Sequence, residues 1–552
     1  MSLPLHPLDP IPAETARIAR AAFPRGNPYL RLADEFGALY ADISFAHLFS
    51  ALGPAALAPW RLTLVTVLQF AEGLADRQAA DAVRARLDWK YLLRLEPTDP
   101  GFDHTVLSEF RSRLLAGEVD ELLLTPLLMR CRELGLLKAR GRQRTDSTHV
   151  FAAIRSLNRL ECVGETLRAA LNQLAELAPT WLQAQVPVEW FSRYGTRMDN
   201  YHFPAEDAAR QALGTVMGND GYQLLTAVYH HAAPVWLRHL PTVGVLRAVW
   251  VQQYYAPDAA GQVKWRTASD LPPAAILIHS PYDVEARWST KRSVSWVGYK
   301  AHLTETCDDD LPHLIVHVET TPATTPDFGV VPTVHADLQA ADLLPAAHYL
   351  DTGYVDAENL INSQENYGVR LVGPVHEDPS WQTKEAAGFD ISHFTVEWEQ
   401  QQVICPQGQR STKWQEGEDA SGQAAIRIRF ARAACLNCAA RAQCTKAKSE
   451  PRELTLRKQA EHIALQEGRQ RQRTAEFKAE YGCRAGIEGT IAQGVRRGDL
   501  RSARYMGQAR THLQHVLMAV ALNLVRLSNW FATIPLARTR HSHFAGLQMA
   551  LG

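Results

Sequence analysis

The sequence of 552 residues predicts an α/β fold, in which a mixed sheet carries helices on its faces. Apolar and polar residues alternate in SVSWVGYKAHLTET, residues 293–306, and this alternation is typical of a strand. The polar turn CDDDLP and the apolar run HLIVHVET follow, so the two strands are expected to form a hairpin. Short strands then alternate with helical segments up to about residue 373. An all-helical domain is expected to precede this sheet.

The chain before the sheet is predicted to be helical. Residues 1–27 are rich in Pro, Ala and Arg and predict a flexible lead-in. Over residues 28–138, apolar residues recur at three- and four-residue steps, as in WRLTLVTVLQF, which indicates the amphipathic helices of a small bundle. Residues 142–151, RQRTDSTHVF, then predict the first strand of the sheet, within a core segment that spans 139–155.

Two long segments are predicted to interrupt the sheet. Residues 156–269 should be helical, because six apolar side chains share one helical face: Leu160, Val163, Leu167, Leu171, Leu174 and Leu177. The sheet pattern resumes over 270–373. Residues 374–450 are polar and irregular and contain a cluster of cysteines. A basic helical segment and a closing apolar helix are expected over 451–535, followed by a frayed tail over 536–552.

Composition and charge favour a globular protein of the cytosol. The longest apolar run, Val516 to Leu522, is too short to span a bilayer, and the first residues lack the pattern of a secretory signal. The formal net charge is only −1, but residues 441–510 hold 16 Lys and Arg against 8 Asp and Glu. This basic stretch could be a solvated helix surface or a local face that binds phosphates.

Three carboxylates are candidates for a metal site. Asp146 lies in the first strand and Asp351 follows a later strand, at sheet ends where sites commonly form. Tyr481, Arg484 and Glu488 are spaced by three and four residues, so a helix would present them on one face. Oxygen ligands of this kind suit a hard divalent cation. Alternatively, the two aspartates could stabilise turns, and Glu488 could form a surface ion pair with Arg484.

Four cysteines predict a second metal site of a different kind. They are Cys405, Cys435, Cys438 and Cys444, and the C-x2-C spacing of the middle pair is typical of a zinc knuckle. The segment between them has few large apolar residues, so one structural Zn²⁺ could supply folding free energy that the segment lacks. The alternative is four thiols without a metal.

The order of these motifs resembles the DDE transposases of bacterial insertion sequences, which have an RNase H-like catalytic core. The resemblance extends from about residue 49 to residue 531 and rests on six motifs: EGLADRQ with FDHTVLSEFRSRL, RTDSTHV, WVGYKAH, YLDTGYVDAENL, the Tyr-x2-Arg-x3-Glu signature, and HLQHVLMAVALNLVRL. It implies an RNase H-like mixed sheet with a helical insertion and a zinc-cysteine insertion. It also implies that residues 28–138 bind DNA or mediate assembly.

The resemblance implies roles for individual residues. Asp146, Asp351 and Glu488 would hold two Mg²⁺ or Mn²⁺ ions, and Tyr481 and Arg484 would hold the DNA end. The family signature continues after six residues with a lysine, whereas this chain has Val495 there. The next residues, Arg496 and Arg497, are the candidates to contact DNA in its place. If Glu488 were misplaced, Glu480 would be the nearest alternative.

Further implications concern function and partners. Strand residues Lys300 and His302 could contact phosphate, or could be bonded locally within the sheet. The resemblance implies hydrolysis at the ends of an insertion sequence and attack of the freed 3′-hydroxyl on target DNA. Double-stranded DNA, a homo-oligomer such as a dimer, and a location in the cytoplasm at the nucleoid are expected, with no membrane. The alternatives are a domesticated nuclease that cuts without joining, and a non-catalytic DNA-binding protein.

Overall fold

A computed structural model describes residues 1–5, 8–119, 121–259, 261–419 and 422–535. The tail that the sequence predicts over 536–552 lies outside the described residues. Within the described residues the fold is mixed α/β, as expected. None of the helices in these ranges combines the length and the apolar character that crossing a membrane requires.

The N-terminal part is helical. Its helices are α1 Ala13–Ala22, α2 Pro28–Phe36, α3 Pro59–Glu72, α4 Asp76–Ala85, α5 Leu87–Leu92, α6 Thr105–Ala116 and α7 Glu121–Glu133. Their apolar faces share one core with the sheet and with the last helix of the chain. Helix α3 is buried on nearly every side, because apolar residues and threonines occupy most of its positions.

The flexible lead-in expected over 1–27 was wrong for helix α1. Thr15 and Ala19 lie four residues apart on one face of this helix and are both fully buried. The hydroxyl of Thr15 donates a hydrogen bond of 2.7 Å to the carbonyl of Leu95. Ala and Arg, which make the segment look loose by composition, are among the best helix formers. The segment therefore needs only one small packed face to form a helix.

The central sheet is built from strands β1 Arg142–Phe151, β2 Arg287–Lys291, β3 Val294–Thr306, β4 Ile315–Pro322, β5 Ala347–Tyr349 and β6 Arg370–Val372. Strand β3 runs antiparallel to β1 on one side and to β2 and β4 on the other. Strands β1, β5 and β6 are parallel to one another. The long strands therefore lie in the order β4-β3-β1-β5-β6, with β2 extending the hairpin.

Helices cover both faces of this sheet. On one face lie α13 Val331–Ala340 and α14 Ala357–Tyr367, the crossover helices between β4, β5 and β6. On the other lie α20 Gly486–Gly498 and α21 Gln508–Phe531, which pack on β1 and β4 and against α3. Because side chains alternate along β1, odd-numbered residues face the crossover helices and even-numbered residues, including Asp146, face α20.

Between β1 and β2 the chain forms a separate helical unit. Its helices are α8 Arg159–Leu177, α9 Pro179–Gln183, α10 Glu189–Tyr194, α11 Asp207–Tyr229 and α12 Pro241–Gln253. Four residues of the stripe predicted along α8 are buried in a core that is distinct from the core of the sheet, whereas Leu177 at its end is exposed. In α11, Gly214 and Gly221 allow the rings of Trp265 and Trp250 to lie directly against the helix backbone. The helical unit therefore has a hydrophobic core of its own.

The irregular structure expected over 374–450 was wrong in part. This region forms α15 Trp381–Glu385, β7 Thr395–Glu397, β8 Gln402–Ile404, β9 Ser411–Glu418, β10 Ala424–Phe430, α16 Arg432–Leu436 and α17 Arg441–Cys444. The helix expected from residue 453 begins instead with β11 Glu453–Leu456, which pairs with β10. A small core contains Phe394, Val403, Ile428, Phe430 and Leu454, which come from three short strands and one turn. Helices α18 Gln459–Arg471 and α19 Ala475–Tyr481 follow.

Three histidines in the core predict acid sensitivity. Burial lowers the pKa of His302 to about 3, of His335 to about 4 and of His515 to about 3. In the unfolded chain each imidazole titrates near pH 6.5. Below that pH the unfolded state therefore binds protons that the folded state does not bind. The stability that depends on the neutral rings is complete above pH 6.5 and is lost as pH falls. Each ring lowers the unfolding free energy by up to about 1.4 kcal/mol per pH unit.

Urea denaturation at a series of pH values between about 7 and 5 measures this effect. His515→Gln is expected to make the pH dependence less steep by about one proton. A free energy of unfolding that stays constant over this range would contradict the prediction.

Candidate functional site

The register of the sheet brings Asp146 and Asp351 to the same level. In the parallel pair of β1 and β5, Arg144 lies opposite Tyr349, and each aspartate follows its strand partner by two residues. Asp146 is buried within β1, whereas Asp351 lies just beyond β5 in a turn and is partly exposed. Its Oδ1 accepts a hydrogen bond of 2.8 Å from the backbone N–H of Gly353. The turn expected from DTGY therefore exists and also orients the carboxylate.

Arg484 joins the three carboxylates. Its Nη2 lies 2.7 Å from Oδ2 of Asp146 and 3.7 Å from Oδ2 of Asp351, and its Nη1 lies 3.2 Å from Oε1 of Glu488. The guanidinium is mostly buried, with 13% of the side chain exposed, whereas 68% of the Glu488 side chain is exposed. Three acidic groups from β1, the end of β5 and helix α20 thus surround one cation. The surface ion pair between Arg484 and Glu488, weighed as an alternative, is part of this cluster.

The charged groups of the cluster and their burial shift the pKa values of Asp146 and Arg484. Burial raises the pKa of Asp146 above its ordinary value, although Arg484 and the backbone N–H of Ser147 act in the opposite direction. Burial lowers the pKa of Arg484, but Asp146 and the other acidic neighbours outweigh it, so the net shift is upward. A carboxylate that is costly to ionise in isolation becomes favourable to ionise beside positive charge. Positive charge beside Asp146 therefore stabilises the ionised form of its carboxylate.

A buried ion network, which the sequence did not indicate, anchors helix α20 to the sheet. Glu305 in β3 is fully buried, and its two oxygens lie 2.7 Å from Arg144 and 2.8 Å from Arg526. Thr490 in α20 donates a hydrogen bond of 2.5 Å to the same carboxylate. Arg144 also donates to the carbonyl of Cys483 at 2.5 Å. In the sequence, Arg144 is visible only as the first residue of the motif RTDSTHV and Glu305 only as a residue of the predicted strand 293–306. The register of the antiparallel pair β1 and β3 places the two residues opposite each other.

Gly486 is expected to be essential for this network. A Cβ atom at Gly486 would lie 2.1 Å from Nη1 of Arg144, and that guanidinium cannot retreat without losing Glu305 and the Cys483 carbonyl. Gly486→Ala should therefore lower the unfolding free energy by about 1–3 kcal/mol, as overpacking does. Urea denaturation measures the change. Gly489→Ala is the matched control, since its Cβ would meet nothing within 4 Å, and it should be neutral or slightly stabilising.

The remaining residues of the signature differ in exposure. Tyr481 stacks on Phe477 with ring centroids 5.5 Å apart and is partly buried. Val495, at the position where the family has lysine, packs against the main core. Arg496 and Arg497 are exposed at the end of α20. These two arginines are therefore free to meet a phosphate, whereas the side chain at 495 is directed inward.

Two predicted DNA contacts are not supported. His302 is 1% exposed, and its two nitrogens bond to the hydroxyls of Tyr354 and Thr321. The Nζ of Lys300 donates to Asp327 at 2.8 Å and to the carbonyl of Thr325 at 2.7 Å. Direct contact with DNA was therefore the wrong prediction for both, because Tyr354 and Thr321 enclose His302 and the segment after β4 holds the Lys300 ammonium. The alternative, that both side chains are bonded locally, agrees with these contacts.

The alternative carboxylate, Glu480, lies outside the cluster. Its Oε1 lies 2.5 Å from Nη2 of Arg370 and accepts a hydrogen bond of 3.3 Å from Tyr349. These contacts direct it toward β6 and away from Arg484. The structure thus groups Glu488, and not Glu480, with the two aspartates.

The four cysteines of the second predicted site line one small cavity. Burial raises the pKa of Cys444 to about 11, and the neighbouring thiols Cys435, Cys405 and Cys438 act in the same direction. The Sγ of Cys405 accepts a hydrogen bond of 3.3 Å from the backbone N–H of Gln409, across a tight turn that Gly408 closes with φ of 75°. The four thiols therefore line the same cavity, but within the part of the chain that the structure describes they are not a group whose sulfur atoms all lie within 4.8 Å of one another.

One further group has ligand atoms close together. His317, Glu319 and Asp337 each offer one within 4.8 Å of the others, on β4 and α13. His317 already forms an ion pair of 3.0 Å with Asp337, which explains the proximity without a metal.

Comparison with known proteins adds two matches. A family model described as "Transposase DDE domain" matches residues 404–528, which include the four cysteines, Arg484, Glu488 and the closing helix. A model described as "Transposase domain (DUF772)" matches residues 18–113, which form most of the N-terminal helices. No curated protein and no solved structure matches the chain.

Proposed function

We propose that the chain is a DDE-type transposase that cleaves and joins DNA at the ends of an insertion sequence, since models of a transposase DDE domain and of a second transposase domain match two parts of it. The observation that carries the proposal is the convergence of Asp146, Asp351 and Glu488 on one guanidinium. Carboxylates from separate elements repel one another when they lie close together, so their proximity costs folding free energy unless positive charge lies between them.

The proposed catalytic core is RNase H-like. The strand order β4-β3-β1-β5-β6, with β3 antiparallel to its neighbours and crossover helices on one face, supports this assignment. On this view the unit α8–α12 is an insertion after the first strand, and residues 374–450 belong to an insertion before the last helices. Both have hydrophobic cores of their own, which supports their description as inserted units.

We propose that Asp146, Asp351 and Glu488 hold two divalent cations, Mg²⁺ or Mn²⁺. The fit rests on the donor set, since three carboxylates offer the oxygen ligands that these ions prefer. Such ions would activate the attacking oxygen and stabilise the leaving oxygen of the phosphodiester. Arg484 currently occupies the space between the carboxylates, so its guanidinium must move aside. A nearby DNA phosphate would provide its new partner.

The side chains around the site would position DNA. Arg484 would move from Asp146 to a phosphate, Tyr481 would flank it, and Arg496 and Arg497 would hold the backbone further along α20. Water would attack the phosphodiester at the element end, and the freed 3′-hydroxyl would then attack target DNA. Because the two DNA ends of the element must be brought together, we propose that the protein acts as a dimer. The proposed location is the nucleoid.

We also propose one structural Zn²⁺ at Cys405, Cys435, Cys438 and Cys444. Four thiolates fill all the positions of a tetrahedral structural site, so this ion would order the unit without taking part in catalysis. The unit has a small core of its own, so the metal would add to its stability and not replace packing. Metal analysis should find about one zinc per folded chain, and Cys438→Ser should lose it while Cys131→Ser keeps it. A folded chain without zinc would refute the site.

The function is tested by cleavage of the DNA that flanks the gene. With Mg²⁺, we expect nicks at the ends of the element, and with a pre-cleaved end we expect joining to target DNA. Cleavage without joining would favour a domesticated nuclease. Binding that weakens with salt but never leads to cleavage would favour a non-catalytic DNA-binding protein.

A further inference from the structure

A pair of thiols lies directly beneath the signature turn. Cys307 follows β3 and is 2% exposed, whereas Cys483 lies in the 3₁₀ turn Gly482–Ala485 and is partly exposed. Both pack in one small apolar cluster with Tyr349 and Phe477. Cys483 packs against the buried cluster that contains Cys307, each thiol shifts the pKa of the other, and both cysteines are free.

The backbone holds this pair in place from both sides. The N–H of Cys307 donates to the carbonyl of Arg142 at 2.9 Å, and the carbonyl of Cys483 accepts from Arg144 at 2.5 Å. Arg142 and Arg144 are alternate residues of β1, so one strand fixes both cysteines. The pair is therefore built into the sheet and does not depend on the approach of a mobile loop.

The environment makes the two sulfurs unequal. The neighbouring Cys307 thiol lowers the pKa of Cys483, and Arg142 and Arg144 act in the same direction, against the effect of burial. The neighbouring Cys483 thiol and burial raise the pKa of Cys307. By contrast, burial raises the pKa of Cys131 and of Cys162 to about 12. Low pKa, positive neighbours and partial exposure together mark a reactive cysteine.

We propose that Cys307 and Cys483 form a modification site for peroxides, with Cys483 as the attacking thiolate and Cys307 as the resolving thiol. The Cys483 sulfur attacks one oxygen of hydrogen peroxide, the O–O bond breaks, and hydroxide leaves and takes a proton to become water. The Cys307 sulfur, losing its proton, then attacks the sulfenic acid, the S–O bond breaks, and a second water leaves. Two thiols are oxidised to a disulfide while one peroxide is reduced to two waters.

The disulfide would act on the catalytic cluster through the neighbouring residue. A disulfide bond is shorter than any non-bonded approach of two sulfur atoms, so oxidation would draw the turn toward the end of β3. Arg484 follows Cys483 directly and touches all three carboxylates. Oxidation would therefore displace Arg484 and lower the rate of DNA cleavage, a consequence that rests on the proposed function.

The thiol chemistry can be tested without any DNA assay. The full-length protein is treated with hydrogen peroxide and mapped by mass spectrometry after alkylation of remaining thiols. We expect a cross-linked peptide joining Cys307 to Cys483 that dithiothreitol reverses, with Cys131 and Cys162 unmodified as internal controls. Cys307→Ser should stop at the sulfenic acid, trapped at Cys483 by dimedone. If Cys483 reacts no faster than the buried Cys131, or forms no bond to Cys307, the site is refuted.

The functional consequence is tested on cleavage of element-end DNA. We expect peroxide to reduce wild-type cleavage by about 10²-fold, as misplacement of a positioning group by about an ångström does, and dithiothreitol to restore it. Cys483→Ser should cleave at the untreated rate and resist peroxide. Equal inhibition of this variant would overturn the link to activity. If the reduced enzyme never cleaves DNA, the proposed function fails while the peptide map still decides the thiol site.

Discussion

Asp146→Asn is expected to lower the rate of DNA cleavage by at least about 10³-fold, which corresponds to about 4 kcal/mol of activation free energy. The substitution removes an anionic oxygen that lies at the centre of the cluster, and several kcal/mol of charge stabilisation depend on such ligands. The fold should survive, because Asn has the same shape and Arg484 keeps Asp351 and Glu488 as partners. Cleavage is measured with Mg²⁺ on element-end DNA, and binding is measured separately.

The matched control for this experiment is Asp310→Asn. Asp310 lies in the exposed turn of the hairpin, where it forms an ion pair with Lys138, and it is not expected to affect cleavage. DNA binding by Asp146→Asn should equal or exceed that of the wild type, because a negative charge near the DNA has been removed. Normal cleavage by Asp146→Asn would show that the carboxylate cluster is not the catalytic site.

Glu305→Ala is expected to lower the unfolding free energy by about 3–5 kcal/mol, a large share of the 5–15 kcal/mol typical of a folded protein. Burial raises the pKa of Glu305, but the guanidinium groups of Arg526 and Arg144 outweigh it and hold the pKa below its ordinary value. Removing this carboxylate leaves two buried cations without their shared counter-charge. It also releases Thr490, so α20 loses an anchor to β3.

Urea denaturation measures the effect of Glu305→Ala, with Glu377→Ala as the control. Glu377 is about half exposed and forms a surface ion pair of 3.4 Å with Arg473, so its loss should cost less than about 1 kcal/mol. Equal, small effects of the two substitutions would mean that the network of Arg144, Glu305 and Arg526 does not anchor α20. A folded Glu305→Ala protein should also cleave DNA more slowly, because Glu488 lies on the released helix.

Much of the central sheet could be predicted because its strands have strong local patterns. The bounds expected for β1 agree with the structure, and the hairpin of β3 and β4 lies where alternation and the polar turn placed it. The short strands β5 and β6 were found because helical segments with clear periodicity separate them. The resemblance to DDE transposases, carried by ordered motifs, is confirmed by the two family matches.

Other elements could not be predicted because their stability comes from distant partners. Strand β9 is rich in polar residues and has a strand conformation because it pairs with β10, whereas the alternation in IRIRF of β10 is a local strand pattern. Helix α1 depends on a contact with Leu95, far away in the sequence. Lys300 and His302 looked available for DNA, since the sequence does not reveal that Asp327 pairs with Lys300 or that Tyr354 encloses His302.

The sequence by itself determined the residues of the cluster, since Asp146, Asp351 and Glu488 could be selected from motif order and from strand and helix positions. Only the tertiary structure decided how they are arranged: Arg484 lies among all three, Glu305 holds two arginines beneath them, and Cys483 meets Cys307. The physical reason is range. Periodicity and turn chemistry depend on residues that are close together in the sequence. Burial, ion pairing and thiol contact depend instead on distances between segments that are more than a hundred residues apart.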